Sequence, residues 1–164
     1  MFRCCGVVKK KADAVVITSD KYLCQLVRED GRVVCHDLAK ELLLDADAVR
    51  AKFGVDPAQI PDYLGLVGDA VDNLPGVPGV GAKGAAAALN AWYSIEEMPH
   101  DEAAWKALPV RGAASLGRKI SEHREVALKT KDLATVVHDV PGVAPGLRAQ
   151  PVLVAEKTRT EVDL

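Results

Sequence analysis

Gly68-Asp69-Ala70-Val71-Asp72-Asn73-Leu74-Pro75-Gly76-Val77-Pro78-Gly79-Val80-Gly81-Ala82-Lys83 is the stretch on which the fold turns. Its second half packs proline and glycine between two helical segments, so the backbone can bend sharply and approach a ligand closely. The alanine-rich run Ala82 to Ala91 must then be a helix. Its first amides point free along the positive end of the helix dipole, which makes an anion site. Lys83 in that first turn opposes the dipole, and a bound phosphate would neutralise both. The plain alternative is an ordinary helix-hairpin-helix turn with Lys83 in solvent.

Outward from this hairpin the elements follow from punctuation. Ala14 to Thr18 is a β-branched run that reads as a strand buried on both faces. Ser19 and Asp20 offer an N-cap to a helix carrying Leu23, Leu26 and Val27, which fades near Asp30-Gly31 before a second strand at Arg32 to His36. Asp45 caps a helix through Phe53 that stops at Gly54, and Asp56-Pro57 opens another that ends at Gly68. Ser94 with Glu97 predicts a capping box and a short helix, Asp101 caps a further one, and Ala113 to about Thr130 reads as one long basic helix. From Pro141 onward proline, glycine and polar residues predict a loose tail.

Composition sets the bounds. With 164 residues, 49% apolar and 27% charged, the chain suits one compact domain rather than a disordered or membrane protein. Cys4, Cys5, Cys24 and Cys35 lack zinc-ligand spacing and read as reduced thiols, with Cys24 and Cys35 as small buried hydrophobes. The basic, acid-poor start, Arg3 and Lys9 to Lys11, has no apolar core of a secretory signal, so an intracellular protein of the cytoplasm or nucleoid is expected, with organellar targeting as the alternative.

The net charge of -2 conceals a segregation. Asp56, Asp62, Asp69 and Asp72 occur in a span without Lys or Arg, which suits a cation. Arg111, Arg118, Lys119, Arg124, Lys129 and Lys131 face only Glu122 and Glu125, which suits phosphate. The bland account of the basic run is a solvated face with Glu122–Arg118 and Glu125–Lys129 pairs at four-residue spacing. Asp20, Asp69 and Asp72 have equally plain readings as a helix cap and as turn formers.

The glycine-proline turn resembles the hairpin of the helix-hairpin-helix group, which grips duplex DNA through its phosphates without reading sequence. Thr18-Ser19-Asp20-Lys21, then Asp62-Tyr63-Leu64, then Gly68 to Gly76 running into the hairpin, is similar to the 5′-nuclease family of 5′-3′ exonucleases and flap endonucleases, which includes the front domain of bacterial repair polymerases. Ser94-Ile95-Glu96, Arg118 to Arg124 and Lys131-Asp132-Leu133-Ala134 continue the likeness, which covers roughly 14–140.

The resemblance implies a mostly α fold with a small remnant of a parallel α/β sheet and a helix-hairpin-helix (helix-three-turn-helix) DNA-binding region. The expected divisions are an unrelated leader at 1–11, the C-terminal part of the nuclease α/β core at 12–44, a helical domain at 45–140 and the loose tail at 141–164. It implies phosphodiester hydrolysis at the 5′ end of duplex or branched DNA, with Asp20 and Asp72 catalytic, and Asp20, Asp69 and Asp72 holding Mg²⁺ or Mn²⁺. Gly76, Gly79, Val80, Gly81, Lys83, Arg118, Lys119 and Arg124 would meet DNA, with K⁺ at the hairpin carbonyls.

Two departures qualify this. Tyr22 stands where the family has a second aspartate, and a phenol is a poor Mg²⁺ ligand near neutrality. The family's first half, with its remaining carboxylates and strands, has no counterpart, so three acids at most are not expected to hold two metals. A gene fragment, a misplaced start or a subunit completed by another chain is therefore expected. The alternative is a non-catalytic DNA-binding remnant; a helix-hairpin-helix glycosylase ranks last, since 4% aromatic residues leave little for a base pocket.

Overall fold

The computed structural model describes residues 13–137; the expected leader at 1–11 and tail at 141–164 lie outside them. Strands β1 (Ala14–Ile17) and β2 (Val33–Asp37) pair in parallel, Ala14 opposite Val33 and Ile17 opposite His36. A third strand, β3 (Leu42–Leu44), pairs antiparallel with β2 and gives the order β1-β2-β3. The sequence did not announce β3, because three successive leucines carry neither period. Its turn is set by Asp37, whose carboxylate accepts from the Lys40 amide at 3.2 Å and from its ammonium at 2.9 Å.

Between β1 and β2 the expected α-helix is instead a 3-10 helix, Lys21–Leu26, started by Asp20, which accepts from the Tyr22 amide at 2.9 Å. A 3-10 helix rises about 2.0 Å per residue against about 1.5 Å, so six residues reach further across the sheet. It buries Cys24 against Cys35 of β2, whose thiol donates to the Leu23 carbonyl at 3.3 Å.

The helical part follows its caps closely. Helix α1 (Ala46–Phe53) begins at Asp45, which accepts from Ala48 N at 2.9 Å, and ends on Gly54 in the left-handed region. Asp56 and Gln59 form a capping box before α2 (Ile60–Val67), with Pro57 in the first turn. The Gln59 amide group also donates to the carbonyls of Leu89 and Tyr93 at 2.9 and 2.8 Å, satisfying the end of α3 (Ala82–Trp92).

Helix α2 is buried along Ile60 to Leu66 and forms the axis of the domain. Gly65 lets α6 (Arg124–Ala134) come close enough that a Cβ there would lie 2.6 Å from the Ala127 carbonyl oxygen. Gln25 ties the sheet part to the end of α6, donating to Ala134 O at 2.9 Å and accepting from Val136 N at 3.0 Å.

Two sequence expectations change here. Ser94 and Glu97 make only a turn, Glu97 N donating to Ser94 O and Met98 N to Ile95 O, with no helix after it. The single basic helix is two, α5 (Ala113–Glu122) and α6, separated at His123 with φ -112 and ψ 18. The cause is tertiary. Helix α5 packs on the short α4 (Glu102–Trp105), where Gly117 lies so close to Trp105 that a Cβ would overlap the indole. Helix α6 packs on α2, and one straight rod cannot serve both.

The segment entering the hairpin is pinched at its base. Gly68 and Gly76 meet backbone to backbone, and a Cβ on Gly76 would stand 2.5 Å from the Gly68 nitrogen. Above the pinch Asp69 and Leu74 exchange amide hydrogen bonds at 2.9 and 2.8 Å, leaving 70–73 as a tip with Val71 88% exposed.

Candidate nucleic-acid interface

Val77 and Val80 anchor the hairpin from below, at 2% and 6% exposure, while Pro78, Gly79 and Gly81 face solvent. The turn closes through Val80 N donating to Val77 O at 3.0 Å, with Gly79 at φ +74. Val80 is thus a plug rather than a surface contact, and Gly76 belongs to the pinch. Gly81 begins α3 without any side-chain cap, so the first amides of that helix remain free, with Lys83 exposed beside them.

A second uncapped helix start faces this one. Helix α5 begins at Gly112 in the left-handed region, preceded by exposed Arg111. Between the two starts lies an open groove of about 710 Å³, walled by Gly79, Gly81 and Lys83 on one side and Arg111, Ser115 and Lys119 on the other. The Lys119 ammonium nitrogen sits 2.7 Å from where a Gly79 Cβ would be, so glycine there admits the lysine. No acid lines the groove, and among the described residues Lys83, Arg111 and Lys119 join no salt bridge.

Other expected site residues lie differently. Arg118 is exposed on α5, and neither the Glu122–Arg118 nor the Glu125–Lys129 pair forms among the described residues. Arg124 donates to the carbonyls of Met98 and Glu96 at 2.9 and 2.7 Å, so its guanidinium closes the 95–98 turn and is not part of the groove. Arg111, Gly112 and Ser115 were missed as site residues; an Arg-Gly pair ahead of Ala113 was the available signal for a bare helix start.

The acidic corner lies where the 3-10 helix meets the pinched segment. Asp69 is buried, its side chain 3% exposed, and accepts from the Lys21 ammonium at 2.6 Å, the Tyr22 hydroxyl at 2.9 Å and the Val71 amide at 3.2 Å. Lys21 first, and then the Tyr22 and Val71 donors, hold its carboxyl down to about 2. Burial, then the neighbouring Asp69 and Asp72 carboxylates, push the Tyr22 phenol well above its usual value. Asp20 remains the cap of the 3-10 helix, and Asp72 is exposed at the loop tip.

The family model described as "5'-3' exonuclease, C-terminal SAM fold" matches residues 55–151. The chain belongs to this 5′-3′ exonuclease family. Among its relatives, DNA polymerase I of Pseudomonas aeruginosa is 42% identical over 134 residues, covering 77% of this chain and 14% of the polymerase. The 5′-3′ exonuclease of Buchnera aphidicola subsp. Acyrthosiphon pisum is 31% identical over 135 residues, covering 82% of this chain and 46% of the relative. The T5 D15 flap endonuclease in a pseudo-enzyme-product complex with DNA and metal ions superposes with a TM-score of 0.58 at 18% identity, over 73% of this chain and 42% of that one. At that identity the likeness is one of fold. The chain spans about half the length of the relative named as an exonuclease.

The divalent metal that the resemblance implies finds no complete ligand set among the described residues. Among the described residues no three His, Cys, Asp or Glu side chains gather in metal-holding geometry. Both Asp69 oxygens are engaged by Lys21, Tyr22 and Val71, and Asp20 caps the 3-10 helix through one of its oxygens. Asp72 stands beside Tyr22 and Asp69 at this corner, and with Asp20 no three-ligand group forms among the described residues.

Proposed function

We propose that this chain is the duplex-gripping part of a 5′-3′ exonuclease or flap endonuclease, an intracellular protein that holds DNA by its phosphates without reading sequence. The observation that carries this is the acid-free groove in which two uncapped helix starts converge with Lys83, Arg111 and Lys119. Free amides at a helix start and a lysine or arginine beside them are the donors a phosphodiester oxygen takes. Arg118, exposed on the same helix as Lys119, extends the positive face.

Phosphodiester hydrolysis, with Mg²⁺ or Mn²⁺ and Asp72 among the ligands, belongs to this proposal only together with carboxylates that this chain does not itself assemble. K⁺ at the hairpin carbonyls is the finer expectation for the grip. A second reading, a DNA-binding part without hydrolysis of its own, is favoured by the engaged Asp69.

Two duplexes of unrelated sequence, each about 20 base pairs long to exceed the footprint of a single module, test the grip by fluorescence anisotropy. Equal affinities are expected, and Lys83→Ala with Lys119→Ala should weaken both alike. A marked preference between the duplexes, or no effect of the double substitution, refutes it. Cleavage of a 5′-flapped duplex with Mg²⁺, abolished by Asp72→Asn, separates the first reading from the second.

A further inference from the structure

We propose that Lys21 and Tyr22 take the place of a divalent cation at Asp69, converting an acidic corner into an internal joint that admits no metal ion. This rests on the contacts at the corner and shares no residue with the groove, so it stands or falls apart from the DNA-binding reading.

Three donors from this chain supply what a cation would otherwise provide. The Lys21 ammonium sits on Asp69 Oδ2 at 2.6 Å, the Tyr22 hydroxyl donates to the same oxygen at 2.9 Å, and the Val71 amide takes Oδ1 at 3.2 Å. Mg²⁺ seeks about six oxygen ligands in an octahedron at about 2.0–2.1 Å. To enter, it must expel an ammonium from a carboxylate that is only 3% exposed, and a phenol stands where a further carboxylate would help. Asp20 caps the 3-10 helix through one oxygen and Asp72 adds a single carboxylate beside Tyr22, so among the described residues no set of three carboxylates gathers around Asp69 to displace the ammonium.

The joint has a positive role. Asp69 exchanges backbone hydrogen bonds with Leu74, and the next residue, Pro75, accepts from the Thr130 hydroxyl of α6 at 2.7 Å. Lys21 and Tyr22 therefore fasten the sheet part to the segment that carries the hairpin. Asp69 is a positioning residue here, and these contacts hold the corner without a divalent ion.

The test is Mn²⁺ binding to the full chain without DNA, followed by electron paramagnetic resonance. Wild type should bind no stoichiometric Mn²⁺. Lys21→Ala with Tyr22→Asp should gain affinity by at least about tenfold, the equivalent of releasing one competing charge-assisted hydrogen bond. Adding Asp69→Asn should remove the gain. Stoichiometric binding by wild type that Asp69→Asn abolishes overturns the proposal, as does a folded double variant with no gain. If circular dichroism shows the double variant unfolded, Lys21→Met alone decides by the same criterion. Duplex affinity of wild type should be the same in EDTA as in Mn²⁺. A groove that fails to bind DNA leaves the Mn²⁺ result standing, so the two failures are told apart.

Discussion

Lys119→Ala should flatten the salt dependence of DNA binding by one phosphate's worth. The ammonium of Lys119 lies over Gly79 in a groove shared with Lys83 and Arg111, and no acid competes for any of the three. If each meets one phosphate, log K should fall against log salt with a slope of about -2.7, from about -0.9 per neutralised charge on duplex DNA. A rise from about 50 to about 200 mM KCl then weakens wild type roughly 40-fold and Lys119→Ala, at about -1.8, only roughly 12-fold. Anisotropy titrations of one labelled duplex at several KCl concentrations give both slopes. Arg124→Ala is the control, because its guanidinium is spent on the Met98 and Glu96 carbonyls. It should lower stability and leave the slope alone. Equal slopes for Lys119→Ala and wild type, or a flattened slope for Arg124→Ala, would refute the assignment of the groove.

Gly117→Ala forces a methyl into the Trp105 indole and should cost about 1–3 kcal/mol, read as a lowered urea midpoint; an unchanged midpoint would mean the α4–α5 contact is looser than described. Asp62→Ala leaves the buried Ile95 amide without its acceptor at 2.9 Å and should destabilise by about 1–3 kcal/mol, with Asp62→Asn recovering part through its amide oxygen. The depressed Asp69 carboxyl, about 2 when folded against 3.8 for the ordinary side chain, contributes stability that is fully present above about pH 4 and lost as pH falls toward 2. The acid limb of a melting-temperature profile should therefore be shallower in Asp69→Asn, and identical limbs would remove Asp69 from the acid response.

Local chemistry made much of this architecture legible. Asp45, Gly54, Asp56-Pro57, Gly68 and Asp101 mark element ends because capping and left-handed turns are properties of a few adjacent residues. What failed was decided at a distance. Nothing near His123 breaks a helix by itself; the break follows from α4 and α2 drawing the two halves apart. Ser94 and Glu97 carry the letters of a capping box, yet the chain turns back at Met98, where Arg124 closes it.

The site divides in the same way. Gly79, Gly81 and Lys83 were readable because a glycine turn before a helix announces free amides. Lys119 and Arg124 were read from a basic run and the family likeness, neither of which shows which acceptors a side chain will meet. Arg111 joins the site only once α5 swings against the hairpin. Tyr22 stood out as a departure, whereas the ammonium of Lys21 gripping Asp69 depends on two segments meeting that are far apart in the chain.

The back-to-back meeting of Gly68 and Gly76 makes 69–75 a drawn purse, whose mouth is fixed whatever its contents. Residues added between Asp72 and Asn73, beyond the Val71 amide that Asp69 holds, lengthen the purse at about 0.6 kcal/mol for each doubling of a flexible length. A fluorophore-bearing peptide or an epitope can therefore be housed there while the drawstring holds the neighbouring turn at its old address.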